Sequence, residues 1–98
     1  SYDNLELTNQ SSSFYLRIIA KDITGVLAKI TSHLNNEGIS IETILQIPDK
    51  NISDNKIPII IVTHTTTKKM LLKALDEIEK LDFVLKKVTV LTIDNNLD

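Results

Sequence analysis

The chain has 98 residues, of which 42% are apolar and 24% are charged, and its formal net charge is −2. These values are typical of one soluble globular domain, and the lack of cysteine excludes disulfides, thiol nucleophiles and cysteine-bound metals. The interspersed charges argue against nucleic-acid and membrane partners, and the longest apolar run, residues 57–62, is far too short to span a bilayer. We therefore expect a cytoplasmic protein.

The two ends of the chain differ in composition from its middle. Residues 1–13 are polar and end in three serines, so we expect a flexible linker or an expression remnant there. The folded domain is predicted to occupy residues 14–94, followed by a polar tail at residues 95–98. Because Ser1 is not a natural start residue, we expect a longer protein whose larger part lies on the N-terminal side.

Residue periodicity divides the domain into two similar halves. Alternating apolar residues predict strands, and apolar residues at offsets of three and four predict helices. The predicted elements are strand 14–20, helix 26–37, strand 39–47, strand 57–64, helix 68–80 and strand 83–93. This βαββαβ order predicts an α+β, ferredoxin-like sandwich. Two right-handed crossovers would build a four-stranded antiparallel sheet of order 4-1-3-2, with both helices on one face.

Local signals refine these elements. Gly38 stands where the first helix must end in a left-handed residue, and the threonines at 65–67 supply a capping hydroxyl for the second helix. Pro58 lacks an N–H and predicts a frayed strand end or an unpaired position, and the lysine pair 86–87 indicates a bulge or an exposed edge. The predicted core stripes are Val26, Leu27, Ile30 and Leu34 on the first helix and Met70, Leu71, Ala74, Leu75 and Ile78 on the second.

The second predicted strand lies at an edge of the sheet. It is long and rich in isoleucine, and its outer backbone groups have no partner within the predicted sheet order. A long apolar edge strand favours pairing with another copy of the chain over coverage by a loop. We therefore expect a homodimer formed through this strand.

The turn that precedes the first helix is the best candidate for a binding site. Gly25 permits close approach of a ligand, and the first amides of the helix can bind a carboxylate. Asp22 can accept a hydrogen bond from an ammonium group, so a zwitterionic amino acid would satisfy both ends of the turn. On the residues alone, a purely structural role is favoured, in which Asp22 caps the helix and Gly25 relieves the turn.

The other polar residues indicate neither a metal site nor a catalytic site. Neither His33 nor His64 has a second ligand at metal-binding spacing, and no residue stands in a nucleophile motif. We therefore expect no metal and no catalytic residue in this chain. Arg17 projects from a packing strand, where it either pairs with a carboxylate or borders the sheet.

The turn resembles the signature of the ACT domain family. Residues 22–27 read Asp-Ile-Thr-Gly-Val-Leu, similar to the Asp-x-Pro-Gly-Val-Leu turn that opens the first ACT helix, and residues 38–41 resemble the entry to the second strand. The resemblance covers about residues 14–94. Thr24 replaces the usual proline, which makes the loop less rigid.

Three stretches are more similar to one branch of this family, the C-terminal regulatory domain of homoserine dehydrogenases. Residues 14–17 resemble its Tyr-Tyr-Leu-Arg, the second strand ends like its Ser-Val-Leu-Gln, and the third strand ends in Thr-His as there. The resemblance implies a parent enzyme that interconverts aspartate semialdehyde and homoserine with NAD(P), in the synthesis of threonine and methionine. The cofactor and the catalytic residues would lie outside this chain.

The resemblance also implies a regulatory site between two copies. ACT domains commonly dimerise side by side through the second strand and bind amino acids at that interface, and threonine is the expected effector. The implied effector-binding residues are Asp22, Thr24, Gly25, Val26 and Leu27 of one copy and Ile39, Ser40, Ile41 and Gln46 of the other.

Four alternatives remain open. The domain can be an oligomerisation module whose ligand site has decayed, as Thr24 allows, or the ACT domain of another amino-acid enzyme. An RNA-binding domain of this topology would need stacking aromatics on the first and third strands, and the third strand is aliphatic. An acylphosphatase-like enzyme would need an arginine in the turn after the first strand, where this chain has Lys21.

Overall fold

A computed structural model describes residues 10–93 of the chain. The predicted tail and most of the predicted linker, residues 1–9, lie outside the described residues. In chain order the elements are β1 (Ser11–Lys21), α1 (Val26–Asn36), β2 (Ile41–Gln46), β3 (Lys56–Thr63), β4 (Thr66–Thr67), α2 (Lys68–Glu79) and β5 (Thr89–Ile93).

The strands form one antiparallel sheet. β2 pairs with β3, β3 with β1, and β1 with β5, so β5 is the predicted fourth strand and the predicted order is confirmed. The short β4 also pairs with β1, beyond the end of β5. Both β2 and β5 are edge strands of the described sheet.

β1 begins earlier than the sequence predicts. Ser11 and Ser12 pair with Thr67 and Thr66 of β4, and Ser13 pairs with Ile93 of β5. The assignment of residues 11–13 to a flexible linker is therefore wrong. Serine composition predicts flexibility only while the backbone lacks partners, and here two other strands supply them.

The last strand is interrupted, and the predicted continuous strand 83–93 is wrong in this respect. Val84 bridges to Ala20 and Thr89 pairs with Arg17, so residues 85–88 stand opposite residues 18–19 only. This irregularity, hereafter called the bulge, lies where Lys86 and Lys87 predict a bulge or an exposed edge. In a regular strand one of two consecutive lysines would face the core, and burying an unpaired charge is costly. The bulge leaves both lysines exposed.

The connection from α1 to β2 follows a helix-ending motif. Gly38 has φ +75° and donates its N–H to the Asn35 carbonyl at 2.9 Å, while the Ile39 N–H donates to the Leu34 carbonyl at 3.0 Å. This is the Schellman pattern, as predicted for Gly38. It turns the side chain of Ile39 into the core, so β2 begins at Ile41 and is shorter than predicted.

The core lies between the sheet and the two helices. The predicted α1 stripe is buried at Val26, Ile30 and Leu34 and partly buried at Leu27. On α2 the stripe is confirmed except at Met70, which is 40% exposed. The largest fully buried apolar side chains are Phe14, Leu16, Ile18, Ile30, Leu34, Ile39, Ile59, Ile61, Leu71 and Ile78.

The face of the sheet opposite the helices, here called the outer sheet face, is partly covered. Ile19 and Ile60 point to this face, yet each is only 6% exposed. The loop between β2 and β3 reaches across it, since Asp49 approaches Arg17 and Ile52 lines a cavity together with Ile19. Of the two roles predicted for Arg17, pairing with a carboxylate is the one observed.

Candidate functional site

The turn between β1 and α1 is exposed to solvent. Its first four residues, Asp22 to Gly25, are all exposed, and Ile23 is 54% accessible despite its apolar side chain. The backbone is held at its start, because the Asp22 N–H donates to the Asn55 carbonyl at 2.8 Å. The turn is therefore anchored on one side and accessible to a ligand on the other.

α1 starts without a side-chain cap among the described residues. Gly25 occupies the N-cap position with φ +89°, and its carbonyl accepts the Lys29 N–H at 3.1 Å. Asp22 therefore does not cap the helix, and the structural role considered for it in the sequence is wrong. The first amides of a helix carry partial positive charge and have no intrahelical acceptor. An exposed, uncapped start is a suitable place for a carboxylate.

The glycine in this turn is required by its conformation. A φ of +89° is strained for residues with a Cβ. A Cβ built on Gly25 would meet no atom within 4 Å among the described residues. The space in front of the turn is open, so the requirement for glycine comes from the backbone and not from crowding.

The remaining predicted site residues lie on or beside β2. Ser40 and Gln46 are exposed, while Ile41 is partly buried. The Ser40 carbonyl accepts the His64 N–H at 2.9 Å, which ties the start of β2 to the end of β3. Ile39 and Val26 are buried in the core, so any contact they make with a ligand must use the backbone.

A single copy does not bring these residues together. Ile41 pairs with Thr63 at one end of β3, whereas Gln46 pairs with Ile59 near the other end. The turn before α1 lies at the Gln46 end, because Lys21 pairs with Lys56 at the start of β3. The predicted residues thus divide between the two ends of β2, with residues 39–41 at the far end from the turn.

An antiparallel pair of β2 strands would join the two groups. In such a pair the start of one strand lies beside the end of the other. Within residues 10–93, β2 bonds to β3 alone, so its outer edge is free for this pairing. The start of β2 in one copy would then approach the turn before α1 in the other.

Asp22 also borders a depression of about 260 Å³ within one copy. The loop between β2 and β3 forms its other wall, through Asp49, Ile52 and Ser53. Sequence reasoning missed this neighbour, although the turn-rich composition of residues 48–56 indicated an exposed loop near the sheet. The loop gives the turn a concave side that β1 and α1 alone do not supply.

No group of three or more His, Cys, Asp and Glu side chains in residues 10–93 could hold a metal ion. No helix in the same range is long and apolar enough to cross a membrane.

Comparison with known proteins identifies the family. The sequence profile of the ACT domain family matches residues 14–83. Homoserine dehydrogenase of Neisseria gonorrhoeae is 37% identical over 92 residues, which cover 93% of this chain and 20% of that enzyme. The chain therefore spans about a fifth of the length of this relative.

Comparison with solved structures gives matches to the same family and fold. The crystal structure of a homoserine dehydrogenase from Thiobacillus denitrificans superposes with a TM-score of 0.79 at 33% identity, covering 90% of this chain and 19% of that one. The ACT domain of the GTP pyrophosphokinase of Chlorobium tepidum superposes with a TM-score of 0.65 at 20% identity, covering 84% of this chain and all of that one. At that identity the second match shows the fold alone.

These matches confirm the resemblance predicted from the turn before α1 and from the three stretches on the strands. The chain belongs to the ACT domain family, and within that family it is similar to a segment of homoserine dehydrogenases.

Proposed function

We propose that this chain is the amino-acid-binding regulatory domain of a homoserine dehydrogenase. Two copies would pair through their β2 edges, and threonine would bind between the turn before α1 of one copy and β2 of the other. The observation that carries the proposal is the start of α1, where no side chain caps the first amides and an exposed, left-handed Gly25 precedes them.

The chemistry of the proposed site suits an amino acid. The ligand carboxylate would accept from the first amides of α1, where the helix dipole favours negative charge. Asp22 is exposed in the same turn, and its carboxylate would accept from the ligand ammonium. Ser40 is exposed at the start of β2, which an antiparallel pair would bring to the other copy's turn, and its hydroxyl could bond a hydroxyl on the ligand. Gln46 is exposed at the opposite end of β2, so it would reach the ligand from the copy that supplies the turn. Thr24, Leu27 and Ile41 would line the site, with Val26 and Ile39 contributing backbone atoms.

The proposed parent enzyme interconverts aspartate semialdehyde and homoserine with NAD(P) in the cytoplasm. Its cofactor and catalytic residues would belong to the remaining four fifths of a protein of the relatives' length. Threonine would regulate the enzyme only if it bound one arrangement of the subunits more tightly than another, since coupling between sites is a difference in binding free energy.

Isothermal titration of threonine into the 98-residue chain tests the proposal. Isoleucine, methionine and serine serve as comparison ligands, and light scattering reports the oligomeric state in parallel. We expect saturable binding that is selective for threonine and a stoichiometry consistent with a dimer. Gly25→Leu should abolish binding by straining the turn, and Ser40→Ala should weaken it.

Thr67→Ala is the matched control for these variants. It removes the cap of α2 and so costs about 1 kcal/mol of stability, but it lies outside the proposed site. Retention of threonine binding in Thr67→Ala would show that a loss in Gly25→Leu is local. Equal loss of binding in all variants would contradict the proposed site.

A dimerisation module without a ligand is the second candidate. Thr24 stands in place of the family's usual proline, which leaves the turn less preorganised. A well-folded dimer that binds none of the four amino acids would favour this candidate. A monomer without ligand binding would contradict both.

A further inference from the structure

A second concave site lies on the outer sheet face and adjoins the depression beside Asp22, with which it shares Ile52, Ser53 and Lys56. It has a volume of about 390 Å³, and its polar lining consists of Arg17, Lys56, Lys86, Asn51 and Ser53. Ile19 and Ile52 contribute its apolar lining. None of the residues predicted to bind the effector lines this cavity.

The cavity gathers positive charge from three separate parts of the chain. Arg17 lies in β1, Lys56 begins β3, and Lys86 belongs to the bulge before β5. Lys21 adds to this charge, since it stands directly opposite Lys56 in the antiparallel ladder. Like charges in directly opposed positions destabilise a sheet. In a chain of net charge −2, this concentration is not a consequence of overall composition.

Carboxylates of the described residues offset this charge only in part, through the ion pair of Arg17 with Asp49. Within residues 10–93, the ion pairs with nitrogen–oxygen distances of 4.0 Å or less involve neither Lys56 nor Lys86. Asp49 approaches Arg17, but the Nη2–Oδ2 distance of 3.7 Å is too long for a hydrogen bond. The other Asp49 oxygen, Oδ1, accepts the Asn51 N–H at 2.9 Å. The Arg17 guanidinium therefore keeps its hydrogen-bond donors available.

We propose that this cavity binds a small organic anion that carries phosphate or carboxylate groups. Arg17 would contact the anionic group with its planar set of donors, and the two lysines would add charge. The Asn51 amide and the Ser53 hydroxyl could donate further bonds. Ile19 and Ile52 would pack against the ligand's carbon skeleton. The inference does not depend on the proposed effector site, because threonine is a zwitterion without net charge.

Nuclear magnetic resonance titration of the 98-residue chain tests the inference. Sodium pyrophosphate probes phosphate recognition and citrate probes carboxylate recognition, each at constant ionic strength. We expect at least one probe to cause saturable amide shifts at Asn51, Ser53, Lys56 and Lys86, with little change along α2. The probe that binds more tightly identifies the anionic group that the site prefers.

Charge variants sharpen the test. Lys56→Gln and Lys86→Gln should each weaken binding about three- to tenfold, as expected for the loss of one partly screened charge. Lys69→Gln removes the same charge from an exposed position on α2 and should leave the affinity unchanged. Asp49→Asn should tighten binding, since it removes the competing carboxylate and keeps an oxygen acceptor for Asn51.

A gain of affinity in Asp49→Asn cannot result from partial unfolding, which makes this variant decisive. The absence of saturable shifts with both probes would overturn the inference. The inference would also be overturned if Lys69→Gln weakened anion binding as much as Lys56→Gln and Lys86→Gln do. That result would mean that the anion is attracted to surface charge in general. Neither result bears on whether the chain binds threonine, so the two proposals can fail separately.

Discussion

The two β-α-β halves of this domain share a topology but begin their helices differently. α2 follows Thr67, whose side-chain oxygen accepts the Met70 N–H at 3.2 Å, while the Lys68 N–H donates to the Gln10 carbonyl at 3.3 Å. α1 follows Gly25, and within the described residues it receives no side-chain cap. Groups of this chain accept hydrogen bonds from the first amides of α2, whereas no side chain of the described residues does so for α1.

This difference indicates a division of roles between the halves. The start of α2 is bound to β1 through β4, so it contributes to the stability of the sheet. The turn before α1 is tied by backbone bonds, including one to the Asn55 carbonyl, and Val26 at the start of α1 packs in the core. A helix start that lacks internal acceptors is less stable by itself but can accept a ligand. This difference supports the proposal that a ligand binds at the first half.

The largest expected losses of stability follow from substitutions in the core, and they should be similar in the two halves. Ile30 of α1 and Ile78 of α2 are both fully buried between the helices and the sheet. Ile30→Ala and Ile78→Ala should each lower the free energy of unfolding by about 2–5 kcal/mol. Urea denaturation at one fixed protein concentration measures this change. Met70→Ala, at an exposed position, should cost far less. If one isoleucine cost as little as Met70, the two helices would not share a single core.

Removal of the α2 cap should cause a smaller loss of stability. Thr67→Ala removes the α2 cap and should lower the free energy of unfolding by about 1 kcal/mol. Thr67→Ser keeps an oxygen acceptor and should restore most of this loss. Thermal denaturation of both variants measures the difference. A negligible loss in Thr67→Ala would mean that the contacts of β4 alone hold the start of α2.

The smallest expected effect concerns the exposed face of α2. A hydrogen bond from Lys80 to Asp76, with an Nζ–Oδ2 distance of 3.2 Å, is the main cause that raises the pKa of Lys80 above its ordinary value of 10.5. The Asp76 and Glu77 charges raise this pKa further. Since the pKa is raised by folding, the pair stabilises the fold below about pH 10.5, and this contribution is lost as the pH rises through the folded-state pKa.

Asp76→Asn should lower the Lys80 pKa toward its ordinary value, which a nuclear magnetic resonance titration of the side chain can follow. Both side chains are well exposed, so little change in overall stability is expected. An unchanged Lys80 pKa in Asp76→Asn would show that the pair does not persist in solution.

Features with local causes were predictable from the sequence. Strand and helix periods gave the order of elements and the core stripes, and the ends of the helices followed from Gly38 and Thr67. The candidate turn was also found locally, from the six residues at 22–27. Each of these signals acts within about one helical turn or a few strand positions, so neighbouring residues suffice to specify it.

Features with distant causes required the tertiary structure. Residues 11–13 look like a linker until β4 and β5 supply their partners. The basic cavity joins Arg17, Lys56 and Lys86, which no local pattern relates. The position of residues 39–41 at the far end of β2 from the turn became visible only from the strand register. The sequence by itself determined the two helices and the order of the four main strands, because periodicity and turns are local, while β4 and the interruption before β5 were not predictable from it. The tertiary structure decided which side chains meet, because strand pairing and loop packing bring together residues that are far apart in the chain.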